Sequence, residues 1–217
     1  MIATLCGLVG ESRVAKGPNR LVMCGSGHRD ILSDLPHCRA LVSLGIAGAV
    51  HPRMGVGDIL LATSVRGMGV MSVNTTQDWR WRMAAACRRK SFRIWEGPIF
   101  SSSVVRGVTP ADRALISQVC SAWAVDDESY AVARAAIKMG LPFAVVRAIS
   151  DTAEQTIPSA ALVSPRPDGS HDLLAICREL TKRPLQVFAL LKIARQYKTA
   201  LASLRGALDA LGPELAL

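Results

Sequence analysis

Short apolar runs alternate with amphipathic stretches along this chain, and the alternation predicts strands separated by helices, hence an α/β domain with a parallel sheet. Residues 2–9, 21–24, 40–44, 60–65, 99–105, 122–125 and 143–149 read as strands. The run 143–149 is apolar except for Arg147, the pattern of a strand buried on both faces, and Ser150 and Asp151 fall just past its carboxyl end. Helices are expected over residues 26–34 and 77–90, from Thr109 with Pro110 at the first helical position, and after Glu128, where Val132, Ala133, Ala136 and Ile137 share a face and Gly140 and Pro142 end the helix. Trp79 and Trp81 lie two apart on the 77–90 helix, so they face different ways and one of them is expected at the surface or an interface. From about residue 184, Leu185, Phe188, Leu191, Ala194, Leu201, Leu204, Leu208 and Leu211 keep near-helical spacing with Lys192, Arg195, Lys198 and Arg205 between them. This C-terminal amphipathic helical tail either packs on the sheet, the commoner use of such a stripe, or lies on a membrane surface.

Composition narrows the picture. Half of the 217 residues are apolar, enough for one domain over residues 1–217 to bury a core without covalent staples. The apolar runs fall far short of the roughly 20 residues that span a bilayer, and no basic-then-apolar leader is present, so a cytosolic protein is expected. Six cysteines lie far apart with no CxxC pair, so they read as reduced core residues and no metal site is expected. The net charge of +9 permits an anionic partner: nucleic acid, a membrane surface or phosphate. Arg80-Trp81-Arg82 and Arg88-Arg89-Lys90 are the features that would suit nucleic acid, but the positives are spread along the whole chain and no base-stacking motif accompanies them, so no nucleic-acid partner is expected.

The candidate chemistry is acidic. Asp126, Asp127 and Glu128 follow the 122–125 strand, and Asp151 follows the 143–149 strand. Each acid has a plain structural use, as a helix cap or a loop opener, but carboxylates at the mouths of neighbouring strands form a constellation that capping does not require. Glu11 follows the first strand, where it either complements a helix dipole or acts in chemistry. Gly45-Ile46-Ala47-Gly48 after the third strand is read as a loop whose backbone approaches a ligand closely. Residues 152–170 are polar and proline-bearing and are expected to form a lid.

Val125-Asp-Asp-Glu-Ser129 and Pro142-Phe-Ala-Val-Val-Arg-Ala-Ile-Ser-Asp151 resemble the signatures V-E-M-E-A and P-F-V-V-V-R-A-I-S-D of the purine nucleoside phosphorylase and methylthioadenosine/S-adenosylhomocysteine nucleosidase superfamily. Within it the chain looks most like the hopanoid-associated phosphorylase branch. The resemblance implies a single nucleoside phosphorylase-like α/β domain with a twisted, mixed, mostly parallel sheet flanked by helices, a homo-oligomer, no cofactor, and cleavage of a purine N-glycosidic bond. It implies Asp151 as proton donor to N7, Ser150 as its positioning neighbour, Glu128 as acceptor for the ribose hydroxyls, and Glu11 as holder of the attacking water. Asp126, Asp127, Gly45, Ile46 and Ala47 would lie around the ribose, and Phe100, Ser101 or Val105 along the base. Asp127 stands where the family has methionine, so it turns to solvent or the ribose pocket is unusual. Inorganic phosphate is a possible co-substrate: Ser43 and Ile46 occupy the family's phosphate positions without a cation, while Arg13 and Lys16 near Glu11 are the cationic candidates. These residues favour hydrolysis and the branch's name implies phosphorolysis. The implied substrate is adenosylhopane, an adenosine carried on a triterpenoid lipid, met at the inner membrane surface; the alternatives are methylthioadenosine, S-adenosylhomocysteine or a general purine nucleoside.

Overall fold

Eight strands form one mixed sheet in the structure, a computed structural model that describes residues 1–25, 37–67, 72–102, 104 and 107–217. The helix expected over residues 26–34 and the candidate Val105 lie outside the described residues. In chain order the elements are β1 (Ile2–Cys6), α1 (Val9–Ala15), β2 (Arg20–Cys24), β3 (Ala40–Ala49), β4 (Ile59–Arg66), β5 (Val73–Asn74), α2 (Gln77–Arg88), β6 (Ile94–Ser101), α3 (Pro110–Cys120), β7 (Ala124–Asp126), α4 (Ser129–Met139), β8 (Phe143–Asp151), a 3₁₀ turn (Ser159–Ala161), α5 (Leu173–Lys182) and α6 (Gln186–Leu211).

The sheet is mostly parallel, as expected. β1 pairs in parallel with β2 and β3, β3 with β8, β4 with β6, and β6 with β7. The antiparallel pairings β4–β8 and β3–β7 close β3, β8, β4, β6 and β7 into a ring. Closure brings the carboxyl ends of β3, β7 and β8 together, and β1 beside β3 delivers the start of α1 to the same place.

Local signals explain several elements. Thr109 caps α3 by accepting from the Asp112 amide at 3.1 Å while Asp112 accepts from the Thr109 amide at 2.8 Å, with Pro110 at the first helical position. Gly140, at φ 63°, ends α4 in the left-handed conformation that glycine adopts without strain. Trp79 is fully buried and donates through Nε1 to the Leu215 carbonyl at 2.7 Å, whereas Trp81 is 55 % exposed, the division expected of their spacing.

The core has two layers. Ala15 of α1, Trp79 and Met83 of α2, and Ala200, Leu204, Leu208 and Leu211 of α6 cover one face of the sheet. Val132, Ala133 and Ala136 of α4 cover the other.

Three boundaries depart from expectation. The Gly45–Gly48 segment is strand, because β3 continues beside β8 with a register shift only between Ala47 and Gly48. Glu11 sits in the first turn of α1 and not in a loop. Ser150 and Asp151 are the last residues of β8, with Asp151 opposite Gly48. In β3 and β8, pairing of the two strands extends each past its local apolar pattern, whereas β1 stops at Cys6 and α1 begins at Val9.

Candidate active site

Glu11 enters the site from the third residue of α1. Its Oε2 accepts from the Gly7 amide at 3.0 Å and the Leu8 amide at 2.9 Å, and its Oε1 crosses to β3 to accept from the Ile46 amide at 2.8 Å. It therefore complements the helix start, the plain reading, and also reaches the strand ends. Glu11 is 2 % exposed, and burial pushes its pKa up, with Arg147 and then these amides opposing.

Arg147 ties the acids together. It is fully buried in β8, where Nε donates to Asp126 Oδ2 at 2.7 Å and Nη2 donates to Ser43 Oγ at 2.7 Å and Ser129 Oγ at 3.1 Å. Nη2 also lies 3.6 Å from Glu128 Oε2. Burial works against the guanidinium's charge, but Asp126, Glu128 and Glu11 outweigh it and push its pKa up. Its Nη1 has no hydrogen-bond partner among the described residues. A Cβ placed on Gly45 would fall under 3.0 Å from both that nitrogen and Glu11 Oε1, so the two groups converge on one spot beside the Gly45 backbone.

Glu128 stands at the mouth of this cluster. A Cβ on Gly7 would meet its Oε1 at under 3.0 Å, so glycine in the first loop makes room for the carboxylate. Burial, with Arg147 opposing and Glu11, Asp126 and Asp127 adding to it, pushes its pKa up to about 8. Asp126 is buried and spent on Arg147 and on the Ser129 amide that it caps at 3.2 Å. Asp127, which stands where the family has methionine, is exposed and also lines the cavity.

Asp151 lines the same cavity: its Oδ1 accepts from Arg113 Nη2, and Ser150 Oγ lies 2.6 Å from Asp151 Oδ2. Arg113, 1 % exposed, is pinned by three backbone carbonyls: Nε donates to Gly107 at 2.8 Å, and Nη1 to Ala49 at 2.9 Å and Thr152 at 2.6 Å. The guanidinium thus fixes the carboxylate to the ends of both β3 and β8.

Glu11, Arg113, Asp126, Asp127, Glu128, Ser150 and Asp151 line a cavity of about 260 Å³, together with Ile157, Ala161, Leu162, Val163 and Pro165 from the segment read as a lid and His171 just after it. The structure brings together Glu11, Ile46, Ala47, Asp126, Asp127, Glu128, Ser150 and Asp151, with Gly45 behind them. Other candidates lie elsewhere. Arg13 is two residues from Glu11 on a helix, so it projects from the far side, and both it and Lys16 are exposed and line no part of the cavity. Ser43 is fully buried beneath the site and bound to Arg147. Phe100 packs in the core with Val50, Ile116 and Val125. Ser101 is 2 % exposed and accepts from the Tyr130 amide at 3.0 Å.

Sequence reasoning assigned no role to two residues. Arg147 carried a visible signal, the one charge in an apolar strand, because burying a charge demands partners. Arg113 carried none, since it reaches the site only through the packing of α3 against the ends of β3 and β8.

The phosphorylase superfamily model matches residues 20–182. A 5′-methylthioadenosine/S-adenosylhomocysteine nucleosidase from Desulfotalea psychrophila is 27 % identical over 158 residues, which are 63 % of this chain and 68 % of that protein. Among solved structures, the same-named nucleosidase from Neisseria meningitidis, in complex with methylthio-immucillin-A, superposes with a TM-score of 0.68 at 14 % identity over 99 % of both chains. Futalosine hydrolase from Helicobacter pylori gives 0.61 at 16 % identity, covering 95 % of this chain and 97 % of that one.

Proposed function

The chain belongs to the phosphorylase superfamily, and we propose that it hydrolyses the N-glycosidic bond of a purine nucleoside, releasing adenine from an adenosine that carries a lipid at its 5′ end. The observation that carries the reading is that Glu11, Glu128 and Asp151 line one cavity, with Arg147 packed behind Glu11. A water in the cavity donates to the Glu11 carboxylate. As the C1′–N9 bond breaks, its electron pair goes to the purine, Asp151 delivers a proton to N7, and the water oxygen bonds C1′ while Glu11 takes its proton. Arg113 neutralises the carboxylate left on Asp151, and Glu128 accepts from the ribose hydroxyls.

Charge favours water over phosphate as nucleophile. Five acidic side chains, Glu11, Asp126, Asp127, Glu128 and Asp151, line the cavity, and the guanidiniums of Arg113 and Arg147 are both already engaged by carboxylates. A phosphate dianion would find no uncommitted guanidinium to balance its charge there. No cofactor is required by this chemistry.

Adenosylhopane is the proposed substrate. Its support is the likeness of Val125-Asp-Asp-Glu-Ser129 and the tail to the hopanoid-associated branch, together with the apolar lining formed by Ile157, Leu162 and Val163. The enzyme would work as a homo-oligomer at the inner face of the membrane.

The test is incubation of purified protein with adenosylhopane and with methylthioadenosine, each with and without inorganic phosphate. Free adenine and free sugar should form at a rate that phosphate leaves unchanged, and Asp151→Asn should slow release by on the order of 100- to 10,000-fold. A sugar 1-phosphate that requires added phosphate would overturn hydrolysis, and failure to release adenine from either nucleoside would overturn the reading as a whole.

A further inference from the structure

Twelve large apolar side chains are exposed among the described residues, and six of them fall between residues 173 and 191: Leu173, Leu174, Leu185, Val187, Phe188 and Leu191. α5 buries none of its residues. The sequence predicted an amphipathic helical tail from about residue 184, and α6 divides its apolar stripe into a covered and an exposed part. Leu204, Leu208 and Leu211 pack on the sheet while Leu185, Phe188 and Leu191 are 82 %, 73 % and 53 % exposed. The unpartnered surface is therefore α5, the turn after it and the first turns of α6.

That surface is cationic as well as apolar. Between residues 173 and 198 the chain carries six exposed cations, Arg178, Lys182, Arg183, Lys192, Arg195 and Lys198, and one acid, Glu179, which is paired with Lys182 at 2.6 Å. It also adjoins the cavity. Gln186 Oε1, at the start of α6, accepts from Ser159 Oγ at 3.0 Å and the Ala160 amide at 3.3 Å, and the neighbouring Ala161 lines the cavity, as does His171 just before α5.

We propose that this face docks on an anionic lipid bilayer, with the leucines and Phe188 in the interface and the cations against the headgroups. Charge decides the occupant. A second copy pairing by a two-fold axis would set these cations against the same cations of its partner, whereas anionic headgroups over hydrocarbon complement both halves of the face. The inference rests on the lipid-linked reading of the substrate for its purpose, since a lipid nucleoside is met only at a bilayer, and the docking places the cavity's lid segment at that surface.

Flotation with vesicles tests docking without any substrate. The protein should float with equimolar phosphatidylglycerol and phosphatidylcholine, stay behind with phosphatidylcholine alone, and be released by high salt. Leu185→Asp with Phe188→Asp should abolish flotation. Lys182→Gln with Arg183→Gln should weaken it about 30-fold, because each cation near an anionic surface contributes about fivefold. Both variants should turn over methylthioadenosine like the parent, which shows that they are folded and leaves the catalytic chemistry intact. Absence of flotation with the anionic vesicles would overturn the proposal. So would a light-scattering result in which the parent is a dimer that Phe188→Asp splits while vesicle binding is absent, which assigns the face to a second copy. If the protein floats but does not cleave a lipid-linked adenosine, docking stands and only the substrate falls.

Discussion

Gly45→Ala is the smallest change that tests the catalytic reading. The added methyl carries no charge and leaves every proposed catalytic group in place, yet its Cβ would lie 2.5 Å from Glu11 Oε1 and 2.7 Å from Glu11 Cδ, with Arg147 Nη1 also within 3.0 Å. Ordinary contact begins at 3.4 Å, so the carboxylate oxygen must retreat by about 0.9 Å or the β3 backbone must move by as much. Neither neighbour yields easily. Glu11 is held by three backbone amides, and Arg147 by Asp126, Ser43 and Ser129. Overpacking of this kind costs roughly 1–3 kcal/mol of stability, and misplacing a reacting group by about 1 Å costs on the order of 100-fold in rate. The expected result is kcat for adenine release reduced at least about 100-fold with a melting temperature lower by about 2–4 °C for each kcal/mol lost. Gly55→Ala is the control, since its Cβ meets nothing nearer than Asp58 Oδ2 at 4.0 Å, and it should match the parent in both measurements. A folded Gly45→Ala protein that kept a third or more of the parent's kcat would refute the placement of the nucleophile beside Glu11.

Two further outcomes follow from the charges. Glu128 has its pKa raised to about 8 by burial and by neighbouring acids, so the ribose-accepting carboxylate forms only as pH rises through that value, and kcat/KM should rise through the same range. In Glu128→Gln that limb should vanish. A raised carboxyl pKa also contributes stability that is fully present below the ordinary carboxyl value and is lost as pH rises through about 8; chemical denaturation across that window should show the loss in the parent, with the part due to Glu128 missing from the variant. Arg147→Met should lower stability by roughly 3–5 kcal/mol in denaturant titration, because it leaves Asp126 buried without its partner; a loss below about 1 kcal/mol would mean that the pair is not what holds the strand ends together.

The sequence by itself determined the layered α/β order, because alternation of apolar runs with helical periodicity is local information carried within each element. It also determined which carboxylates stand at strand ends, since Asp126, Glu128 and Asp151 each follow an apolar run, and it exposed Arg147 as the one charge in such a run. Tertiary structure decided what these residues do for one another. Pairing of β3 with β8 made Gly45–Gly48 a strand and set Asp151 opposite Gly48, and α3 delivered Arg113 to a carboxylate 38 residues away. Helix geometry turned Arg13 away from Glu11, and ring closure drew Phe100 into the core. The tail's apolar stripe was legible, but which half of it the sheet would cover was not, because that depends on where α6 meets the sheet and where it projects beyond it. Local pattern sets an element's type and its apolar face; long-range hydrogen bonds and packing choose its neighbours, and the site exists only where those neighbours meet.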